Sequence, residues 1–486
     1  MGSKQVFQTL PLPSPLPLAL PTLRRHRVPG AFIFIASAAM ASASVPTWDL
    51  THSLAPYLDR HLVFPLLEFI QALAIYPDSD LLEAKISLLS QTNMVDFAMD
   101  IYKHLHSKGG GSDVVPAQMK ERRLVVVTEL KTLKQAASRV VEFLSDPERV
   151  KALRSSGTDR DATLAFLQTE HGIGSEDVEA LYKYAKFQYE CGNYSVAAEF
   201  LYFYRTIARD AEKSFKALWG KFAAEILMQN WGEAMEDLMR LKDVIDATHF
   251  PSAVEQLQQR TWLAHWSLFV FFNHENGRNA ILDLFLNERY LNTIQTNARH
   301  LLRYLAAAAL CNRRRRALIP AVVNAVAQET ADALAASGEE ESTKQDPICA
   351  FLEALYVRHD LEEAQATLAA CDAVLASDFF LVGLRQEFAE NSRMYIFESY
   401  CRVHKTIDLS EFAGTLGMGV DEAERWILEM IRSDRISARL DAERGVVVMA
   451  SPYPTPMDRI VERVKGLHQR TEAIAAAVHS RGYAVA

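Results

Sequence analysis

Four pieces of this sequence share one arrangement. "NMVDFAMDIYKHL", "GNYSVAAEFLYFY", "QNWGEAMEDLMRL" and "HDLEEAQATLAAC" each set a large apolar residue three positions before an alanine: Val95 and Ala98, Tyr194 and Ala197, Trp231 and Ala234, Leu361 and Ala364. In each, a helix-length segment comes first, a polar turn follows, and a second helical pattern begins at the large residue. The alanine lets two helices approach closely while the large side chain plugs the gap above it, which is how helical hairpins stack into a solenoid. The spacing between units is irregular, so the repeat is a degenerate one. From Leu54 onward the apolar spacing is helical almost everywhere, and β-branched alternation is nearly absent until the end of the chain. The expected fold is mainly α: a right-handed helical-repeat (TPR-like) solenoid, with N-terminal repeats over residues 48–254.

The pattern changes after Lys405. "TIDLSEFAGTLGMGVDEAERWILEMIRSDRISARLDAERGVVVM" reads as a short strand, a helix (Leu409–Leu416), a glycine-bearing turn, a second helix (Asp421–Ser433) and two strands (Ile436–Leu440 and Val446–Met449) joined across Asp441–Gly445. Helix, turn, helix and hairpin describe a winged helix. It occupies residues 405–450 and closes a module spanning 255–450 whose helical part is 255–404. A DNA-binding winged helix would lay its second helix in the major groove, but here that helix carries Asp421, Glu422, Glu424 and Glu429 against Arg425 and Arg432. Phosphates repel such a helix, so the module is expected to dock protein, with Trp426 packed on the wing and named as a docking residue. In the last segment, 451–486, Ile460, Val464, Leu467, Ile474 and Val478 recur at coiled-coil spacing, with Thr471 filling the intervening position. This C-terminal bundle helix either folds back as core or joins a bundle with other chains, and Gly466 weakens it in isolation.

Composition limits the partners. The formal net charge is -9, from 52 basic and 61 acidic residues. Bulk phosphate binding needs a basic face, so any RNA contact is local. The basic run Arg313, Arg314, Arg315 and Arg316 is either a solvated inter-helix turn or a contact for RNA or an acidic partner. "GGGSDVVP" and "LAASGEEESTKQDP" read as surface loops. Five cysteines, with no C-x-x-C pair, suit a reducing compartment rather than a disulfide scaffold. Residues 1–47 read as a disordered or non-native N-terminal extension. Within them 1–39 are either dispensable, with the functional chain starting at Met40, or an organelle address. The apolar run "AFIFIASAAMA" is only about 11 residues, short of the ~20 that span a bilayer, and no membrane partner is expected.

Catalytic groups are not found. The chain has no phosphate loop, G-x-G-x-x-G fingerprint, H-E-x-x-H pair or G-x-S-x-G elbow. His104-Leu-His106 would fit the first two ligands of a zinc isopeptidase, but Val114 and Ala117 stand where its serine and aspartate belong. Two nitrogens alone do not hold a catalytic zinc. His265, between Trp262 and Trp266, reads as a hydrogen-bonded core histidine. "KYAKFQYECGNYSVAAEFLYFY", with five tyrosines and three phenylalanines, suggests a stacking platform at first. Its apolar stripes on both helices fit a buried hairpin better, with hydroxyls at the polar edge of the layer. Ser145, Pro147 and Glu148 suggest a capped helix start. The expectation is no enzyme and no cofactor or metal.

A helical array leading into an acidic winged helix and a terminal bundle helix resembles the PCI-domain subunits of the proteasome lid, the COP9 signalosome and translation initiation factor three. "HLVFPLLEFI", "TNMVDFAMDIYK", "YAKFQYECGNYS", "EILMQNW", "LQQRTWLAHWSLFVFFNH" and "EAERWI" are similar to blocks of the e-subunit family of eukaryotic translation initiation factor three, from about Trp48 to about residue 480. The resemblance implies a non-catalytic scaffold subunit that supports assembly of the factor and recruitment of initiator tRNA and mRNA to the small ribosomal subunit. It implies the c, d and l subunits as neighbours, contact with related PCI assemblies such as the signalosome and proteasome lid, and a cytoplasmic location with a nuclear fraction. It carries over no catalytic residues.

Overall fold

The computed structural model describes residues 48–107, 115–146, 160–337, 345–404, 406–416, 419–432, 438–441, 444–449 and 456–482. The described chain is mainly helical and divides into two units. One comprises residues up to Ala280 with Asn287–His300 and Ser377–Phe380; the other comprises Ile281–Leu286, Leu301–Ala376 and the chain from Leu381.

In the first unit the helices are α1 (Arg60–Ala72), α2 (Asp78–Leu89), α3 (Val95–Ser107), α4 (Ala117–Ala136), α5 (Ser138–Leu144), α6 (Arg160–His171), α7 (Ser175–Glu190), α8 (Tyr194–Ile207), α9 (Ala211–Leu227), α10 (Trp231–Ala247) and α11 (Ala253–Asn273). After α12 (Gly277–Phe285) comes α13 (Glu288–Asn297). From α7 to α11 each helix packs on the next in sequence, the nearest-neighbour stacking of a helical repeat. Side-chain caps set several starts: Asp59 accepts from the His61 amide at α1, and Asp210 from the Glu212 and Lys213 amides at α9.

The large-residue and alanine pairs fall where the spacing predicts. Val95, Tyr194 and Trp231 each open a helix, and Ala98, Ala197 and Ala234 are buried. Before Tyr194 and Trp231 the residue two positions ahead of the opener supplies the chain reversal. It is left-handed Gly192 (φ 90) before Tyr194 and left-handed Gln229 (φ 62) before Trp231. Glycine adopts this conformation freely, whereas glutamine does so at a steric cost. Between α9 and α10 the core also holds charge: Lys221 Nζ lies 2.6 Å from Asp237, which is fully buried, and 3.7 Å from Glu225. Asn230 at the turn donates to the same Glu225 (2.8 Å), so the pair is satisfied on both sides.

The second unit is built on α14 (Leu301–Cys311), whose every residue is buried. The Ala306–Ala309 run leaves room for neighbours on all sides. Around it pack α15 (Ile319–Ser337), α16 (Pro347–Glu353) and α18 (Arg385–Val403), while α17 (Leu361–Ser377) lies between α16 and α18 in the chain. Leu361 opens α17 two residues after left-handed His359 (φ 54), and Ala364 is buried, which repeats the pattern of the first unit. Arg303, 3% exposed on α14, is neutralised by Asp346 at 2.5 Å, and Asp346 also caps α16.

The winged helix follows as β1 (Thr406–Asp408), α19 (Leu409–Leu416), α20 (Val420–Arg432), β2 (Ala438–Asp441) and β3 (Val446–Met449). The strands form an antiparallel sheet in the order β1-β3-β2, with Ile407 and Leu440 both opposite the buried Val447. The last helix, α21, runs from Pro456 to Gly482. The helix start expected around Pro147 and Glu148 lies outside the described residues; within them Ser145 closes α5, its hydroxyl donating to the Val141 carbonyl (2.8 Å).

Candidate functional site

α21 presents its apolar stripe to solvent. Ile460, Val464, Leu467, Ile474 and Val478 are 56–65% exposed. The stripe is longer than the five residues singled out from the sequence: Met457, three positions before Ile460, is 69% exposed and continues the alternating three-and-four spacing. That spacing carried one step back was the signal for it. A row of large apolar side chains in water exceeds the singly scattered apolar residues of an ordinary surface.

The winged helix offers a second face. Ala423, Ile427 and Met430 turn inward on α20, while Asp421, Glu422 and Glu429 are exposed together with Arg425 and Arg432, so the outward side keeps a small net negative charge. Trp426 is half-buried, and its ring meets the fully buried Phe397 of α18 edge to face (centroids 5.5 Å, 73°). The ring neighbour is thus on the helix before the module, where the sequence suggested the wing. Part of the indole is tied to the helical part and part remains accessible.

The arginine run is largely engaged with its own unit. It forms a 3-10 turn in which Arg313 donates to Asn391, Arg315 pairs with Asp283, and Arg316 pairs with Glu398 (2.6 Å) while lying over the Tyr395 ring (5.1 Å). Arg314 is the exposed member. Three of the four guanidinium groups therefore face carboxylate or amide partners in the fold.

Among the described residues no group of three or more His, Cys, Asp or Glu side chains is placed to hold a metal ion. His106 sits at the end of α3, where it stacks on Tyr102 (4.0 Å) and bonds the Tyr102 carbonyl (3.0 Å). His265 is fully buried and donates from Nδ1 to the Thr261 carbonyl (2.6 Å). Its Nε2 must then accept, so His300 Nε2, at 2.9 Å, carries the shared proton. Burial, reinforced by His300, pushes the His265 pKa down to about 3. The ring is a neutral structural link, stacked on Tyr57 (4.3 Å).

The tyrosine-rich hairpin, α7 with α8, is core. Tyr184 and Tyr204 are buried, and Tyr189 donates to Asp59 (2.9 Å), the residue that caps α1. Tyr194 reaches His61 (3.0 Å), and Asn93 bonds both the Glu190 carbonyl and its carboxylate. These links tie the hairpin to α1 and to the start of α3. Burial first, then the Asp59 charge, raises the Tyr189 pKa well above its ordinary value, so the phenol stays a donor. No helix of the described residues is long and apolar enough to cross a membrane.

Known proteins are similar to this chain in sequence. Residues 49–188 match the family described as "eIF3 subunit 6 N terminal domain", and residues 368–451 match the PCI domain. A protein of Arabidopsis thaliana, the E subunit of eukaryotic translation initiation factor 3, is 45% identical over 439 residues, covering 88% of this chain and 96% of its own. Proteins of the same name from Bombyx mori and Aspergillus fumigatus are each 41% identical, covering 90% and 89% of this chain and 96% and 93% of theirs.

Proposed function

Because the chain belongs to the E-subunit family of eukaryotic translation initiation factor 3, we propose that it works as a non-catalytic scaffold within that factor, supporting its assembly and the recruitment of initiator tRNA and mRNA to the small ribosomal subunit. The observation that carries this reading is the bare apolar stripe of α21, a seam of bundle type with water on it. Sister subunits, c, d and l among them, cover that seam with helices of their own. The outward side of α20, where three exposed acids outnumber two exposed arginines, and the accessible part of Trp426 add a docking surface better suited to protein than to phosphates. RNA contact is local and, within the arginine run, rests chiefly on Arg314. The protein works in the cytoplasm with a nuclear fraction, where the same seam meets related PCI assemblies such as the signalosome and proteasome lid.

A chain lacking Asp408–Ala486 tests the reading. Expressed in cells, it loses the sister subunits on purification while its helical repeats keep their melting transition. Undiminished co-purification would refute docking through the C-terminal module.

A further inference from the structure

One helix of the first unit stays at its surface along its whole length. α4 packs on α3, α5 and α7, yet buries none of its 20 residues. Its packed side is half-buried: Leu130 and Leu133 lie against the core built on α7 and α8, and Arg122 donates to the Ser90 and Thr92 carbonyls. The other side carries an exposed stripe. Lys120, Leu124, Val127, Lys131 and Lys134 recur at steps of four, three, four and three, the spacing of a helix seam, and all five are exposed. Leu124 is 66% exposed, and Val125 beside it 57%.

The charges on this stripe are unanswered. Arg123 is paired with Asp96 of α3 (2.5 Å), but among the described residues Lys120, Lys131 and Lys134 form no ion pair. The two acids of α4, Glu121 and Glu129, stand about 100° and 180° round the helix from Lys120, at 3.6 residues per turn. A chain of net charge -9 thus keeps a helix stripe whose free charges are all positive.

The two features together describe an occupant. Aliphatic side chains at the centre of the stripe fit between the ridges of another helix, whereas a single-stranded nucleic acid would be met by aromatic rings. Lysine stems lie along such an apolar contact and carry their ammonium groups to its ends, where carboxylates complement them. From Lys120 to Lys134 the stripe runs about 21 Å, the length of a four-turn helix. We propose that the exposed stripe of α4 docks one amphipathic helix of a partner protein, with aliphatic residues against Leu124 and Val127 and acidic residues at both ends, facing Lys120 at one and Lys131 and Lys134 at the other. This interface is separate from the seam of α21 and does not depend on it.

The test cross-links the full chain in cells. Leu124→p-benzoylphenylalanine sets a photoreactive group on the stripe, and the cross-linked peptide is sequenced by mass spectrometry. The expected product is a partner segment whose aliphatic residues recur at helical spacing between acids. Lys120→Glu, Lys131→Glu and Lys134→Glu together lower its yield by at least about tenfold, because like charges then oppose the partner's acids. The three lysines are exposed, so the melting transition of the isolated chain is unchanged. Lys131→Ala with Lys134→Ala, a milder change, lowers the yield in the same direction. A synthetic peptide of the recovered segment binds the purified full chain in calorimetry, and the triple variant weakens that binding by at least about tenfold. Cross-linking to RNA, to a second copy of this chain, to another part of the same chain or to a segment without acids would overturn the proposal. So would the absence of any cross-link from position 124, or equal yields from the lysine variants.

Discussion

Two helical regions of this chain carry nearly the same kind of apolar stripe and meet opposite fates. In α7 and α8 the stripe of Leu181, Tyr184, Leu201 and Tyr204 is covered by neighbouring helices, each residue at most 6% exposed. In α21 the stripe from Ile460 to Val478 stands more than half exposed. Helical spacing alone makes both amphipathic. The difference is what surrounds them: α8 is followed by α9, which packs on it, whereas α21 is the last described element. A covered stripe stabilises the fold that contains it, and a bare one stabilises only the complex that covers it.

The largest effect that separates the two regions is expected at Tyr204, 2% exposed. Tyr204→Ala should cost about 3–5 kcal/mol, the range for emptying an aromatic from a core, and be seen as a lower denaturant midpoint. A loss no larger than that of a surface substitution would mean the hairpin is not the core described.

A second effect arises from His265. Its folded pKa of about 3 lies below the ordinary 6.5. Between those values the unfolded chain binds a proton that the folded chain refuses, so stability falls as pH drops below 6.5. The linkage gives a loss of roughly 2 kcal/mol at about pH 5. His265→Gln should remove that slope, and urea titrations at several pH values measure it. An equally steep slope in the variant would place the titrating group elsewhere.

Smaller again is Trp426→Ala, which gives up the half-buried contact with Phe397. About 1–2 kcal/mol is expected, read by calorimetry together with the yield of co-purified subunits. Because Trp426 is shared between fold and surface, both readings should move. A change in one alone would assign it wholly to core or wholly to docking.

Much of this division was legible in the residues. The large-residue and alanine pairs located four helix starts because a close approach needs a small side chain wherever the fold places it. The winged helix came out within a residue or two, since its two helices and hairpin each carry their own period. Less legible were features made by contacts distant in sequence. Nothing local marks Gln229 and His359 for the left-handed conformation that Gly192 adopts at the equivalent place. Three arginines of the Arg313–Arg316 run look like a basic surface until Asp283, Asn391 and Glu398 arrive from elsewhere in the chain. Trp426 likewise found its ring neighbour on α18.

The most direct test of the account replaces Ile460, Val464, Leu467, Ile474 and Val478 together with serine or glutamine in the full chain. These side chains are exposed, so each change should stay within about 0.5 kcal/mol and the isolated protein should keep its melting transition. Affinity purification from cells should then lose the sister subunits of the initiation factor. A variant that unfolds would show the stripe to be core, and a stable variant that still brings down the full set of subunits would contradict the claim that α21 is the seam through which this chain assembles.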